Sequence, residues 1–248
     1  MNISVLKDEF SFDSFAAYRI VDQICRKANS VIGLSTGRTT GNIHRNVCKI
    51  YREVNMDVSQ VTFFGLDEVT NVPREYSGAC YTMLRNEIIN ELGIDDDHFL
   101  MLPTYSEDFN KECDKFRKEL KKRGGIDLLI LGLGENGHLG FNQPGSPLNG
   151  MATTATMDEN LERRIRKETG TPDDVFLGGV TLGIRDIMHS RHIILVAKGE
   201  NKRKIVKRML TGPVTSECPA SVLQLHPNCE FLFDTVSAQE LELDKIRI

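Results

Sequence analysis

The chain has 248 residues, of which 40% are hydrophobic and 27% are charged, and its formal net charge is -4. These values are ordinary for a soluble globular protein, and the length is enough for a large core. No basic stripe with interleaved aromatic residues is present, so we expect no nucleic-acid partner. No apolar run approaches the roughly 20 residues of a membrane span, and the N-terminus has no apolar signal segment, so we expect no membrane partner and a cytoplasmic location.

Apolar runs alternate with amphipathic stretches along the chain. Strands with two apolar faces, as in a central parallel sheet, are predicted at Val31–Leu34, 61–66, 126–131 and 192–197. Helical spacing predicts helices over 17–28, 43–54, 107–122 and 201–210. The fold class is therefore α/β: a single doubly wound domain over residues 1–248, with a mainly parallel central sheet flanked by helices (Rossmann-like). Ligands of such sheets bind beyond the carboxyl ends of the strands.

The first strand end with unusual chemistry turns through small hydroxyl residues into a helix. Its residues are Ser35, Thr36, Gly37, Arg38 and Thr39. A helix N-terminus exposes unpaired N–H groups and the positive end of the dipole, which suits a phosphate. A simple N-cap cluster is the alternative. No GK[ST] follows, so the segment is not a Walker A loop.

The second strand end carries two adjacent acids, Asp67 and Glu68. Neighbouring residues on an extended chain point opposite ways, so at most one of them faces a given cleft. A carboxylate at the end of a buried strand is well placed as a general base, and it is ionised at neutral pH. Charge at a helix N-terminus is the alternative interpretation.

The third strand end is a glycine-rich loop over residues 132–145, which reads GLGENGHLGFNQPG. It contains a GxGxxG pattern, but Gly140, Pro144 and Gly145 follow where a dinucleotide site needs a helix, so we reject that interpretation. Glycines let the backbone approach a small ligand closely. His138 lies inside this loop, which we call the histidine loop, and histidine suits proton transfer near neutral pH.

Further along, residues 198–204 read KGENKRK, and a lysine at the start of that helix could reach a phosphate across the cleft. A solvated basic face is the alternative for the later lysines.

The histidines form no HExxH or equivalent pattern, so we predict no metal. The six cysteines form no CxxC pair, which favours buried thiols in a reducing compartment over a disulfide framework.

Five motifs together resemble the glucosamine-6-phosphate deaminase family. They are GLSTGRTT, GLDEV, GLGENGHLGFNQPG, AKGENK and CPASVLQLHP, in the family's order over residues 33–227. The similarity is closest to the galactosamine-6-phosphate deaminase/isomerase branch, through HLGFNQPGSPL and VTLGIRDI.

The resemblance implies ring opening of an amino-hexose 6-phosphate, aldose-to-ketose isomerisation and loss of ammonia, without a cofactor. It implies that Asp67 moves the proton between C2 and C1, that His138 serves ring opening, and that Asn136 supports His138. Residues 35–39 and Lys202 would grip the 6-phosphate, and Glu68 and Gly137 are also predicted to bind substrate. The family often forms oligomers, which makes a homo-oligomer possible, but the sequence leaves the oligomeric state open.

Two departures from the family pattern matter. The family usually has FNEP where this chain has FNQP, so Gln143 replaces a carboxylate partner of His138 with an amide. The family's phosphate turn usually reads TGGT, whereas Arg38 follows Gly37 here.

A non-catalytic sugar-phosphate sensor and a 6-phosphogluconolactonase are the alternative functions. The gluco or galacto configuration at C4 stays open.

Regulated members of the family carry basic residues after the histidine loop to hold an acetylated amino-sugar phosphate. Residues 147–155 of this chain carry no basic residue. An anion site without charge-assisted donors binds weakly, so we expect no activation by such an effector.

Overall fold

The computed structural model describes residues 2–242, and its elements alternate between strands and helices. Within these residues the strands are β1 (Asn2–Leu6), β2 (Val31–Leu34), β3 (Thr62–Gly65), β4 (Asp67–Thr70), β5 (Phe99–Leu100), β6 (Leu128–Gly132), β7 (Thr153–Ala155), β8 (Gly178–Thr181), β9 (Ile193–Ala197) and β10 (Cys229–Asp234). The α-helices are α1 (Glu9–Arg26), α2 (Arg38–Val54), α3 (Cys80–Leu84), α4 (Phe109–Lys122), α5 (Glu159–Thr169), α6 (Ile184–Met188) and α7 (Arg203–Thr211).

Seven of the strands form one sheet in the order β1-β10-β9-β6-β2-β3-β5. Every neighbouring pair in this sheet is parallel. Strands β9, β6, β2 and β3 are adjacent, so the loops that follow their carboxyl ends meet at one edge of the sheet. The predicted α/β class with a mainly parallel sheet flanked by helices is confirmed.

The sheet has a hydrophobic core on each face. Along β6, Leu128 and Ile130 point into the core that α1 and α2 cover, whereas Leu129 and Leu131 point into the core that α4 and α7 cover. This alternation is the pleat of a strand buried on both faces. It explains why these strands read as unbroken apolar runs in the sequence.

The remaining three strands form a second, antiparallel sheet in the order β4-β8-β7. Asp67 begins β4 and lies opposite Thr181 of β8. A separate small hydrophobic cluster packs beside this sheet, and Ile165 is the buried residue that fastens α5 to it. Asp67 and Glu68 follow a buried strand, β3, as predicted, but they also begin a further strand, β4, that was not predicted.

The four predicted strands are present: β2 has the predicted bounds, and the ends of β3, β6 and β9 shift by at most two residues. Helix α1 begins at Glu9, well before the predicted start, and ends at Arg26 rather than residue 28. The predicted helix over 201–210 is a 3-10 turn, Glu200–Lys202, followed by α7. Strands β1, β5 and β10 and the second sheet were not predicted. One domain over residues 1–248 stays a prediction, and residues 1 and 243–248 lie outside the described residues.

The cysteines fit the predicted thiols only in part. All six are free, and five are buried, but Cys25 is exposed on α1. No helix within residues 2–242 is long and apolar enough to cross a membrane.

Candidate active site

A cleft of about 880 Å³ opens where the loops after β9, β6, β2 and β3 meet. Its lining brings together most of the residues predicted from separate strand ends: Ser35, Thr36, Gly37, Arg38, Thr39, Asp67, Asn136, His138, Gln143 and Lys202. Glu68 and Gly137, which were also predicted to bind substrate, are not among the lining residues. The sheet order therefore assembles the predicted site with two exceptions.

The turn after β2 forms the first wall of the cleft. Gly37 is the N-cap of α2 with φ of 125°, a backbone conformation that favours glycine. Gly37 has no side chain to cap the helix, so the N–H groups of the first turn are left for a ligand. Ser35 has a second task, because its buried hydroxyl donates to the Ile130 carbonyl at 2.8 Å and ties the turn to β6. Arg38 is exposed at the rim of the cleft.

Asp67 faces the cleft from the first position of β4 and is half-buried. The Cys80 thiol donates to its Oδ1 over 3.7 Å. Burial raises the pKa of Asp67 to about 6, and the hydrogen bond from Cys80 lowers it in part. The carboxylate is thus ionised at neutral pH but more basic than an exposed aspartate, which suits a group that accepts and returns a proton.

Glu68 points to the other side of β4, as the alternation of an extended chain requires, and is fully buried. Its carboxylate accepts the backbone N–H groups of Val69, Cys80 and Tyr81 at 2.7–2.8 Å. Burial raises the pKa of Glu68 to about 7, although these three hydrogen bonds oppose the shift. The structure does not place Glu68 in the cleft, since the side chain holds the first turn of α3. Its role in substrate binding stays a prediction.

Two amides orient His138. The Asn136 Oδ1 lies 3.1 Å from the backbone N–H of His138 and 2.8 Å from its ring Nδ1. Because the backbone N–H can only donate, Asn136 presents its oxygen, and the hydrogen-bond network assigns the ring proton to Nδ1. Asn136 Nδ2 in turn donates to Gln143 Oε1 at 3.0 Å. The imidazole Nε2 is therefore left as the basic nitrogen.

Burial and the nearby Lys202 ammonium lower the pKa of His138, and Asp158, Gln143 and Glu135 oppose them. His138 is consequently a neutral imidazole at pH 7. Lys202 donates through Nζ to the Leu133 carbonyl at 2.6 Å, and burial lowers its own pKa. This ammonium lies between the histidine loop and the end of β9.

Two glycines of the histidine loop have structural tasks. A Cβ at Gly134 would lie 2.3 Å from the His138 ring, so this position has room for glycine alone beneath the imidazole. Gly137 has φ of 93° and faces away from the cleft, where a Cβ would meet the Cys218 thiol at 2.7 Å. Its carbonyl accepts the N–H of Ala220. Gly137 shapes the loop, and its contact with substrate stays a prediction.

The cleft also contains charged residues that sequence reasoning did not assign. Asp158 lines it from the N-cap position of α5, where its carboxylate accepts the N–H groups of Asn160 and Leu161. Lys198, at the end of β9, contacts the carboxylates of Glu9 and Asp13 at 3.0 and 3.3 Å. An aspartate before a helical stretch signals a cap, but nothing local signals that this cap faces a cleft far away in sequence.

No group of three or more His, Cys, Asp or Glu side chains in the described part of the chain has the arrangement of a metal site. The absence of a metal or cofactor from the reaction stays a prediction. What the cleft offers is an anion-binding helix start, one carboxylate of raised basicity and one neutral imidazole. This combination is typical of an acid–base enzyme that acts on a phosphorylated small molecule.

Comparison with known proteins agrees with this class. Residues 12–231 match the family model described as glucosamine-6-phosphate isomerases/6-phosphogluconolactonase, and the chain belongs to that family. A glucosamine-6-phosphate deaminase of Clostridium botulinum is 32% identical over 98% of this chain and 100% of its own. Glucosamine-6-phosphate deaminase 1 of Giardia intestinalis is 34% identical over 88% of this chain and 82% of its own.

Solved structures show the same fold. A monomeric glucosamine-6-phosphate deaminase superposes with a TM-score of 0.89 at 25% identity, over 96% of this chain and 99% of its own. The 6-phosphogluconolactonase of Trypanosoma brucei superposes with a TM-score of 0.77 at 22% identity, over 97% of this chain and 98% of its own. The latter similarity concerns the fold alone.

Proposed function

We propose that this protein converts a 2-amino-2-deoxyhexose 6-phosphate, glucosamine- or galactosamine-6-phosphate, to the ketohexose 6-phosphate and ammonia. One observation carries the proposal: Asp67 and His138 line the same cleft, and the free N-terminus of α2 lines its other side. The predicted class of enzyme, an amino-sugar-phosphate deaminase, is confirmed by near full-length relatives of that name at about 32% identity.

Ring opening is the task of His138 in this proposal. The Nε2 atom, which the Asn136 contact at Nδ1 leaves unprotonated, accepts the proton of the anomeric hydroxyl and returns it to the ring oxygen. The C1–O5 bond breaks and the aldehyde forms, with no net change in protons. A neutral imidazole suits a shuttle of this kind, because it must accept a proton before it donates one.

Asp67 then carries the isomerisation. Its carboxylate removes the proton from C2 and delivers it to C1, while one proton of the amino group passes to O1. The C1 carbonyl becomes a hydroxyl, and the amino-aldose becomes the imine of the ketose. Water adds to this imine, ammonia leaves, and the water oxygen becomes the ketone oxygen. The sum is amino-hexose 6-phosphate plus water to ketohexose 6-phosphate plus ammonia. The pKa of Asp67, raised by burial to about 6, keeps both directions of transfer accessible.

The phosphate is held at the other end of the substrate. The first residues of α2, together with Thr36 and Lys202, line the cleft, and no side chain caps the N–H groups at the start of α2. Helix N–H groups and a lysine are the usual donors to a phosphate dianion. Arg38 adds a further cation at the rim.

The experiment is ammonia release from glucosamine-6-phosphate and galactosamine-6-phosphate, followed over time with each epimer alone. We expect release from at least one epimer, together with the matching ketose phosphate. The preferred epimer tests the predicted galactosamine branch. Absence of ammonia from both epimers contradicts the proposal.

A sensor without catalysis is the second candidate, favoured by one observation. Both groups that orient His138, Asn136 and Gln143, are neutral amides. An amide orients the ring but does not stabilise an imidazolium by charge. A sensor would bind both amino-sugar phosphates in calorimetry and release no ammonia. A lactonase has only the fold in its favour, and hydrolysis of 6-phosphogluconolactone tests it directly.

We further propose a cytoplasmic location and a homo-oligomeric assembly. The free cysteines support a reducing compartment. The structural relative with the TM-score of 0.89 is a monomer, so the assembly needs its own measurement. Light scattering coupled to gel filtration gives the molar mass, and a value near 27.9 kDa would contradict the oligomer.

A further inference from the structure

The Cys80 thiol lies between the start of β4 and the turn before α2 (residues 35–37), which we call the phosphate-binding turn. It is buried and free, and it begins α3. Its Sγ donates to Asp67 Oδ1 over 3.7 Å and lies 3.4 Å from the Thr36 hydroxyl. A single atom thus contacts both the carboxylate that faces the cleft and a residue of the turn before α2.

Glu68 fixes the position of this thiol. Its two carboxylate oxygens accept the N–H groups of Cys80 and Tyr81 at 2.7 and 2.8 Å, which ties the first turn of α3 to β4. Asp67 and Glu68 are neighbours on that strand and point to opposite sides. The second acid of the pair therefore holds, through α3, the hydrogen-bond donor of the first.

We propose that Cys80 is a positioning residue for Asp67: its thiol donates to the carboxylate and fixes Oδ1 relative to the phosphate-binding turn. The inference rests on the proposed function for the role of Asp67 in proton transfer. Cys80 does not line the cleft itself, so it acts through Asp67 rather than on the substrate.

The surroundings keep this thiol protonated. Burial, and the adjacent carboxylates of Asp67 and Glu68, raise the pKa of Cys80 well above its usual value. A protonated, buried thiol donates a hydrogen bond and resists oxidation, since the thiolate is the reactive form. Cys80 is therefore suited to a structural donor and unsuited to a redox switch.

A donor on a carboxylate favours its ionised form, which is the form that accepts the C2 proton. The other titratable groups near Asp67 are Glu68 on its own strand, whose carboxylate faces α3, and His138 across the cleft. Without the thiol, its hydrogen bond no longer opposes the effect of burial on the pKa of Asp67. The pKa of Asp67 then rises and the ionised fraction at a given pH falls.

The test compares Cys80→Ala, Cys80→Ser and Cys113→Ala with the wild type. Cys113 is a buried cysteine of α4, remote from the cleft, so its variant controls for the loss of a buried thiol. The titration midpoint of Asp67, the pH at which its carboxyl group is half ionised, is measured by carbon NMR of the labelled carboxyl group. This measurement needs no turnover. The pH dependence of kcat/KM and the affinity for inorganic phosphate are measured on the same proteins.

We expect Cys80→Ala to raise the Asp67 midpoint by about half a unit, which lowers kcat/KM about threefold on the acid limb. The kcat should fall with KM nearly constant. Cys80→Ser, which keeps a donor, should restore most of the Asp67 midpoint and of kcat/KM. Cys113→Ala should change neither quantity. Phosphate affinity should be the same in all four proteins.

An unchanged Asp67 midpoint in a folded Cys80→Ala variant would overturn the inference, as would equal losses in the Ala and Ser variants. A wild type that releases no ammonia overturns the proposed function alone. The NMR midpoint would still report whether the thiol holds the carboxylate.

Discussion

His138 is oriented through a chain of two amides. Asn136 holds the ring at Nδ1, and Gln143 holds Asn136 through an acceptor oxygen. The sequence indicated Gln143 as a partner of His138, and the structure adds Asn136, which contacts both side chains. Two acids that could supply a charge near His138, Glu135 and Asp158, line the cleft, whereas the Glu68 carboxylate binds the first turn of α3.

Gln143→Glu tests whether the amide limits the reaction. A glutamate keeps the acceptor for Asn136 and adds a negative charge, which raises the pKa of His138 and stabilises its protonated form. We expect ring opening to accelerate about fivefold, the effect of about 1 kcal/mol for a charge-assisted bond. The increase in rate should be small for a substrate that enters the cleft already in its open-chain form. The His-linked limb of the rate profile should move to higher pH.

Steady-state rates of both proteins between pH 5 and 9 decide the question. A Gln143→Glu enzyme that is slower at every pH would mean that the site is adapted to the amide. Glu135 and Asp158 would then supply the charge, and a further carboxylate would be repelled by them.

Asp67→Asn should abolish turnover and leave phosphate binding intact. An amide does not accept the C2 proton, so we expect a loss of at least about 100-fold in kcat. Calorimetry with inorganic phosphate checks that the far end of the cleft is unaffected. A variant with more than about a tenth of wild-type activity would refute the assignment.

The same variant should be more stable than the wild type above pH 6. The folded-state pKa of Asp67 is raised to about 6 from 3.8, so the wild type loses stability as pH rises between these values. We expect the asparagine variant to gain about 1–2 kcal/mol at pH 8, after allowance for partial solvent exposure, and nothing at pH 3. Urea unfolding at the two pH values measures the difference.

At the scale of elements, the central strands could be predicted from sequence because burial on both faces leaves an unbroken apolar run, as in β6 and β9. Strand β4 could not, because it reads Asp-Glu-Val-Thr and its partner β8 lies more than a hundred residues away. The turn before α2 and the histidine loop were found because glycines and hydroxyl residues mark them locally. Asp158 is the N-cap of α5 and reaches the cleft only through the packing of that helix beside the second sheet, so no local pattern reveals its place in the site.

The loop after β6 has room for only a hydrogen atom beneath the imidazole. Gly134→Ala would place a methyl group 2.3 Å from the His138 ring, so the ring must leave its position. We expect at least a tenfold loss of kcat and a lower Tm, since overpacking costs about 1–3 kcal/mol. Gly132→Ala is the matched control, because its Cβ meets no atom within 4 Å. Equal kcat values for the two variants would contradict this role of Gly134.

The turn that leads into α7 carries Lys202, the lysine proposed to bind the phosphate. Lys202→Ala should raise KM about tenfold or more and change kcat little, because the ammonium binds a group remote from the reacting carbons. Lys204→Ala, an exposed lysine of the same helix, should leave KM unchanged. Initial rates with both variants test this, and equal KM values for Lys202→Ala and the wild type would rule it out. The dephosphorylated amino sugar should be a poor substrate for every protein.

For the molecule as a whole, we expect no activation by an acetylated amino-sugar phosphate. Residues 147–155 carry no basic side chain to hold the effector's phosphate. Rate against substrate concentration should be hyperbolic and unchanged by effector at millimolar concentration. Sigmoidal kinetics that the effector relieves would contradict the prediction.

The two sheets divide the cleft between them. The parallel sheet leads into the turn before α2, the histidine loop and the Lys202 segment, whereas the antiparallel sheet and α5 contribute Asp67 and Asp158. We expect phosphate affinity to depend on the first set, so laboratory evolution toward another epimer should spare residues 35–40. Asp67, which follows β3 and begins β4, connects the two sheets and should tolerate no exchange.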